Sequence, residues 1–349
     1  MVSEQSTAPD GGRRLRRRLW IAARIVVCLL VAAVCVATAS VYFGSEHLAN
    51  QVDRYPGVFA EVPEESRPPE TEALTILLVG SDSLASAPTT GSTAVSTSDL
   101  RGSGRSDVIM LMRIDKGFTH ATVVSFPRDS WVLVPGRGMM KINASFAIGG
   151  PSLLVRTIED ATDIRVDHFA VVDFTGFQAL TDAVGGIVVD VAARTTFGSL
   201  VLHAGKNHLD GKQALAYVRQ RKGLPRGDLD RVRRHQSAIR ALFTKAASDG
   251  LLDPVRGYDF ALELTRWITV DDTLTNDQLR TIAMRLPALG VGGITFLTAP
   301  VAGLGREDKQ SVVYLDAARC ARLWERLSAD DVDSYLRTDP TVELGQTNP

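Results

Sequence analysis

The chain has 349 residues, 45% of them hydrophobic and 23% charged, with a formal net charge of −1. That is enough for a sizeable core in one large domain or two small ones. A near-neutral balance argues against a general nucleic-acid binder, which would be basic, and three cysteines leave no room for a disulfide framework.

Residues 1–12 read as a disordered tail. Arg13, Arg14, Arg16, Arg17 and Arg18 then form a basic block, and Leu19 to Phe43 is apolar apart from Arg24. As a helix, a run of about 25 residues spans a hydrocarbon core of about 30 Å. Arg24 lies near the basic end, where its side chain can snorkel to the interface. The run is longer than the h-region of a signal peptide, although Ala37-Thr38-Ala39 is a weak cleavage-like feature. The positive-inside rule leaves the N-terminus in the cytoplasm and exports everything after Gly44. Six of the 39 basic and two of the 40 acidic residues precede that point, so the exported part carries about −5. Cys28 and Cys35 fall in the membrane helix and Cys320 alone lies beyond it, so the exported domain relies on its core rather than on disulfides.

Residues 44–72, with Pro56, Pro63, Pro68 and Pro69, read as an extracytoplasmic stalk. Its reach is at most roughly 90 Å at about 3.3 Å per residue, which keeps the domain near the bilayer. The folded domain is expected over 73–335. Leu74 to Gly80 is a short continuous apolar run and reads as a buried strand. Residues 84–104 are rich in Ser, Thr, Gly and Ala and read as a surface loop. Strands are expected at Asp107–Ile114, Thr122–Phe126, Phe169–Val172, Ile187–Val191, Ile294–Leu297 and Val312–Leu315. Helices are expected at Ser152–Ala161, Phe174–Val184, Asp228–Ser248, 255–267, 275–287 and Ala317–Leu327. In the long helix Val232, Ile239, Leu242, Phe243 and Ala246 recur at helical spacing. Residues 336–349 read as a flexible tail. Interleaved strands and helices imply an α/β fold, layered around a mixed central sheet.

The chain has no G-x-S-x-G elbow, no H-E-x-x-H and no clustered Cys/His ligand set. Gly205 to Lys212 resembles a phosphate loop only loosely and reads as a turn. What remains is a set of acids and arginines at the ends of expected strands: Asp82, Asp107, and the pair Arg128-Asp129. Strand ends are where ligand crevices form in α/β sheets. Two carboxylates brought together there repel unless a cation joins them, and magnesium suits such a site because it takes one or two carboxylates plus waters and phosphates. The plainer reading has Asp82 capping a turn, Asp107 pairing with an arginine, and Asp129 paired with an arginine rather than acting as a base.

Seven basic residues crowd the stretch from Arg219 to Arg234 (Arg219, Arg221, Lys222, Arg226, Arg231, Arg233 and Arg234), opposed by Asp228 and Asp230. Planar guanidinium groups match phosphate oxygens. If 219–221 is extended, Arg219 and Arg221 point to one face; if helical, they diverge. Asp228 is a candidate N-cap for the helix carrying Arg231 and Arg234, and such a helix start makes a pyrophosphate cradle. A solvated basic face is the alternative. Nucleic acid is disfavoured by the exported location and the lack of interleaved aromatics. Asn143-Ala144-Ser145 matches a glycosylation sequon but reads as structural.

Taken in order, Ile76-Leu-Leu-Val-Gly-Ser-Asp82, Arg105-Ser-Asp107, Ser125-Phe-Pro-Arg-Asp129, Lys141-Ile-Asn-Ala-Ser-Phe146, Gly149-Gly-Pro151, Val171-Val-Asp-Phe174, Gly185-Gly-Ile-Val-Val-Asp190, Leu209 to Arg219 and Gly227-Asp-Leu-Asp-Arg231 resemble the LytR–CpsA–Psr family of bacterial wall-polymer ligases. The resemblance covers roughly residues 73–248, and the membrane helix before it fits the family layout. It implies a three-layer α/β/α domain with a mixed central sheet, preceded by one transmembrane helix, and a tunnel for a prenyl chain. The Val- and Leu-rich strands and the Phe174–Val184 helix are candidates to line that slot.

The implied activity is a phosphotransferase that moves a glycopolymer from polyprenyl pyrophosphate to the 6-hydroxyl of muramic acid in peptidoglycan. Polyprenyl pyrophosphate hydrolysis is an expected side activity. The implied cofactor is magnesium, with manganese as a substitute. By the family pattern Asp82 and Asp107 hold the metal, Arg128, Arg219 and Arg221 clamp the pyrophosphate, and Asp228, Arg231, Arg234, His235 and Gln236 complete the site. His235 and Asp230 depart from the family's usual glutamine and glycine, so the phosphate contact expected of the first is in question and the second adds charge. The implied partners are the lipid-linked donor, the peptidoglycan acceptor and the membrane, with no nucleic acid. The competing reading is a non-catalytic, membrane-tethered binder or regulator.

Overall fold

A computed structural model describes residues 46–83, 104–198, 200–220, 224, 226–251, 257–290 and 292–345. The basic segment, the apolar run 19–43, the loop 84–103 and Arg221 lie outside the described residues, as does the side chain of Asp82. Among the described residues no helix is long and apolar enough to cross a membrane.

In chain order the strands and helices are β1 (Asp53–Tyr55), β2 (Leu74–Ser83), β3 (Gly104–Ile114), β4 (Ala121–Phe126), β5 (Trp131–Val134), β6 (Gly138–Lys141), α1 (Ile142–Thr162), β7 (His168–Asp173), α2 (Phe174–Ala183), β8 (Ile187–Val191), β9 (Thr195–Phe197), β10 (Leu200–Leu202) and β11 (Gly205–Leu209). They continue with α3 (Gly211–Arg219), α4 (Asp228–Ser248), α5 (Tyr258–Trp267), β12 (Ile268–Asp271), α6 (Asn276–Arg285), β13 (Ile294–Thr298), β14 (Val301–Glu307), β15 (Gln310–Leu315), α7 (Ala317–Ser328) and α8 (Val332–Thr338). Seven strands form one mixed sheet in the order β1-β12-β7-β2-β3-β4-β13. The pairs β2/β7, β4/β13 and β1/β12 are parallel, while β2/β3, β3/β4 and β12/β7 are antiparallel.

Helices cover both faces of the sheet. Leu77, Val79, Ile109, Leu111, Val124 and Phe126 bury against Phe146, Leu154 and Ile158 of α1 and against Leu323, Trp324 and Leu327 of α7. Phe126 and Trp324 stack with ring centroids 5.6 Å apart. On the other face, Met110, Val123 and Phe296 meet Ile239 of α4, and Ile76, Ala170 and Val270 meet Leu279 and Ile282 of α6. Strands buried on both faces cannot alternate polar and apolar residues, which is why β2 reads as a continuous apolar run. A separate cluster joins β8 and β11 to α3 and α4 through Ile187, Val189, Leu209, Ala214, Tyr217 and Ala238.

Three expectations need correction. The stretch 44–72 is not a free stalk: β1 pairs with β12 at the sheet edge, and Tyr55, Val58 and Val62 are buried in the main core. Its prolines and glutamates disguised apolar residues too far apart to form a recognisable run. The folded domain therefore starts ahead of residue 73. The stretch 336–345 is also built in: Val342 and Leu344 are buried, and Leu344 donates its backbone N–H to Phe296. Gly205 to Lys212 is the strand β11 followed by the start of α3, joined by a capping box between Asp210 and Gln213.

The helix expected at Ser152 extends back to Ile142, with a break at Gly150 (φ 65°, ψ −156°). Pro151 removes a backbone donor and disfavours a helical residue before it, and glycine tolerates the positive φ that results. Asn143 of the sequon is the second residue of α1, and its N–H donates to the Arg128 carbonyl.

Val58 separates a folded segment from a stalk. Val58→Ala should lower unfolding free energy by about 2 kcal/mol in urea titrations, from lost burial and the cavity left behind. A change within about 0.5 kcal/mol, as at an exposed position, would return this stretch to a stalk.

Candidate active site

The carboxyl ends of β2, β4, β7 and β13 point the same way, and the N-terminus of β3 lies among them. Asp82 lies one residue before the end of β2 and Arg128 two residues past β4, as expected, while Asp107, expected to open β3, is its fourth residue, near the strand's N-terminal end. Gly80 pairs with Val108 and Ser81 with Ser106, so Asp107 is the extra residue of a bulge in the ladder. A bulge re-aims a side chain and ends regular pairing. Asp107 is 7% exposed and accepts a hydrogen bond from Nη1 of Arg128.

Arg128 is the hub. Its Nε lies 3.6 Å from Oδ1 of Asp228 and 3.9 Å from Oδ2 of Asp129. Asp228 Oδ1 also accepts from Nη2 of Arg231. Asp228 is thus the first residue of α4 rather than its N-cap, which is Gly227 with φ 58°. A positive φ here lets the chain turn sharply into the helix, and the carboxylate is left to serve the arginines. Asp129 is held by Lys141 at 3.1 Å, which favours a structural pair over a base. Asp230, the added acid, is fully buried and accepts from the backbone N–H of Arg226 at 2.9 Å and from its Nε at 2.8 Å, so its charge is matched locally.

The dense arginine run divides into two roles. Arg231 faces the carboxylates. Arg234 is 1% exposed, donates to the side-chain oxygen of Gln220 and lies 5.0 Å over the Tyr217 ring. Gln236 is fully buried and donates to the Leu297 carbonyl and, at 3.3 Å, to Oγ1 of Thr298. Arg219 ends α3, and its guanidinium stacks on Phe174 at 4.4 Å. Gln220 is extended, so the chain leaves the helix between the two arginines of Arg219-Gln220-Arg221. His235 donates from Nε2 to the Val218 carbonyl at 3.0 Å.

Beside this charged cluster runs an apolar slot of about 180 Å³. Leu78, Val108, Met110 and Ala170 of the sheet form its floor, and Phe174, Phe177 and Leu180 of α2 with Ile239 and Leu242 of α4 form its cover. The helix Phe174–Val184 does line a slot, as its position suggested. Phe174, Val108 and His235 border both the slot and the charged cluster. Only the tertiary structure reveals this, because slot residues come from six separate stretches of the chain.

Carboxylate oxygens suit a hard cation. Asp107 offers one carboxylate, and Asp228 Oδ2 is buried without a hydrogen-bond partner among the described residues. No group of three His, Cys, Asp or Glu among the described residues is placed to hold a metal. A hard cation held here would draw much of its shell from water and phosphate.

The model of the LytR_cpsA_psr family matches residues 43–329. The chain belongs to this family. It is 34% identical to the probable cell wall biosynthesis protein LcpB of Corynebacterium glutamicum over 92% of this chain and 75% of that protein. It is 40% identical to the polyisoprenyl-teichoic acid–peptidoglycan teichoic acid transferase TagU of Oceanobacillus iheyensis, over 42% of this chain and 47% of that one. The crystal structure of Bacillus subtilis TagV superposes with a TM-score of 0.59 at 23% identity, over 76% of this chain and 99% of that one. TagT bound to LI-WTA superposes with a TM-score of 0.57 at 22% identity, over 77% and 93% of the two chains. These solved structures share the mixed α/β fold with its central mixed sheet. Family membership also accounts for the ordered series of short motifs from Ile76 to Arg231.

Burial, reinforced by the nearby Arg231 guanidinium and opposed by Asp107, pushes the His235 imidazole down to about 4; Arg128 adds to the depression. The unfolded chain binds that proton near pH 6.5. The stabilising effect is therefore fully present above about 6.5 and is lost as pH falls toward about 4, by on the order of 3 kcal/mol. His235→Gln should flatten the slope of stability against pH across that window. An unchanged slope in urea titrations from pH 4 to 7 would show that the imidazole does not titrate this way.

Proposed function

We propose that this protein transfers a glycopolymer from a polyprenyl pyrophosphate carrier to a peptidoglycan hydroxyl, leaving a phosphodiester link. The observation that carries the reading is the shared border of a guanidinium–carboxylate cluster and an apolar slot. A polyprenyl pyrophosphate is an anion with a long hydrocarbon tail, and this arrangement meets both halves at once. The similarity to a probable cell wall biosynthesis protein, LcpB, and to the teichoic acid transferase TagU supports the same reading.

In this reading the slot takes the hydrocarbon chain by burying it from water. Arg128, Arg219, Arg221 and Arg231 hold the pyrophosphate oxygens, whose charge rises as the bond to the leaving phosphate stretches. Asp82 and Asp107 are the proposed ligands of magnesium, which when bound neutralises non-bridging oxygens. The acceptor hydroxyl oxygen bonds to the sugar-side phosphorus, the bond from that phosphorus to the bridging oxygen breaks, polyprenyl phosphate departs, and the hydroxyl proton is released. Asp228 keeps Arg128 and Arg231 side by side, so two guanidinium groups that would repel are already in place before substrate arrives. A membrane-tethered, extracytoplasmic location, with the apolar run 19–43 as the anchor, brings the slot to its lipid donor. Arg234 and Gln236 serve by holding the site's framework.

Two conservative variants test the cluster. Asp107→Asn removes one charge, and Arg128→Lys removes the planar fork while keeping the charge. Each should lower transfer from a lipid-pyrophosphate donor to a peptidoglycan oligomer by about 10²- to 10³-fold while the protein stays folded at the assay temperature, as read by circular dichroism. Transfer at the wild-type rate by either variant would remove that residue from the reaction.

A further inference from the structure

We infer that His235 is a positioning residue, which locks the end of α3 and so sets the place of Arg219, rather than a direct phosphate ligand. This rests on the reading of Arg219 as a pyrophosphate-binding residue and adds a mechanism for holding it there.

Helix α3 is short, nine residues, and its two ends are treated differently. Its N-terminus is closed by the capping box of Asp210 and Gln213. At its C-terminus Gln220 is already extended, and the last carbonyls of any helix lack intrahelical donors. One of those carbonyls is met from α4. The imidazole Nε2–H of His235 donates to the Val218 carbonyl at 3.0 Å. One residue earlier on α4, Arg234 donates to the side chain of Gln220 and covers the ring of Tyr217. Arg219 therefore sits between two residues, Val218 and Gln220, each tied to the second turn of α4. Its own guanidinium is laid on Phe174 at the rim of the slot.

The chemistry of the contact decides the residue type. A buried carbonyl needs a donor, and an unmet one costs about 1–3 kcal/mol. A neutral imidazole with its proton on Nε2 supplies that donor without adding a charge beside Arg231 and Arg128. Its ring also lines the apolar slot, where a cation would be poorly placed. Arg231 and His235 are four residues apart and share a helix face. Thus one face of α4 sends Arg231 to the carboxylates and His235 to the helix that delivers Arg219. A glutamine amide could make the same bond; leucine fills the space but offers no donor.

The test uses the full chain in detergent micelles, with geranylgeranyl pyrophosphate as the binding probe and a lipid-pyrophosphate glycan donor for transfer. His235→Leu should weaken probe binding by about 10-fold, and His235→Gln should stay within about 2-fold of wild type. Arg219→Ala should also weaken binding, and adding His235→Leu to it should cost no more than about a further 2-fold, because the histidine acts through the arginine. Losses that multiply in the double variant would show a direct phosphate contact and overturn the inference, as would wild-type binding by His235→Leu. Hydrogen–deuterium exchange of the segment 211–220 gives an answer that needs no substrate: it should rise about 10-fold in His235→Leu and not in His235→Gln. Equal exchange in the two variants would overturn the inference even if transfer is confirmed. Wild-type protein that shows the exchange pattern but neither binds the probe nor transfers would sink the functional reading alone.

Discussion

Arg128 held between Asp107 and Asp228 is the constraint around which the site is built. One guanidinium joins the start of a strand to the start of a helix, across the end of the sheet. Charged groups this far from bulk water need partners, and breaking one pair would leave another charge uncompensated. The three residues come from positions 107, 128 and 228 of the chain, so the contact also fixes how α4 lies on the sheet. Arg231 then shares Asp228, and the site gains a second guanidinium at a set distance from the first.

The slot follows from the same placement. With α4 docked by its first turn, Ile239 and Leu242 fall over the sheet, and α2 closes the space from the other side. A fully packed interior would have filled it; interiors normally leave few voids larger than a water molecule. An apolar cavity left beside a guanidinium cluster offers both surfaces that the proposed amphiphilic donor needs. It also fits the neutral, hydrogen-bonded state of the polar ring that lines it, His235 donating to Val218.

Legibility differed by element for identifiable reasons. β2, β3, β4 and β7 carry dense apolar runs, and α4 shows an amphipathic repeat, so these were readable. β1 has three residues and takes its meaning from β12, over 200 positions away, which no local pattern announces. The hairpin β5–β6 and the strand β12 were missed because strands of four residues are too short to show a period. Among the site residues, Asp107 and Arg128 were found by their places at strand ends. The bulge at Asp107 was hidden, since one extra residue in a ladder is defined only by the partner strand. Asp228 was recognised as a helix start, but its service to two arginines, in place of a cap, depends on where Arg128 lies.

By itself the sequence determined the chemistry available: carboxylates and arginines at strand ends, an α/β alternation, a single cysteine after residue 44, and a series of short motifs in family order. These are local properties, set by residue type and spacing. The tertiary structure alone decided which arginines face the carboxylates and which hold the framework, that the stretch before residue 73 belongs to the sheet, and that the charged cluster borders an apolar slot. Those outcomes depend on contacts between segments distant along the chain, and such contacts are settled by packing and burial rather than by any one segment's own preference.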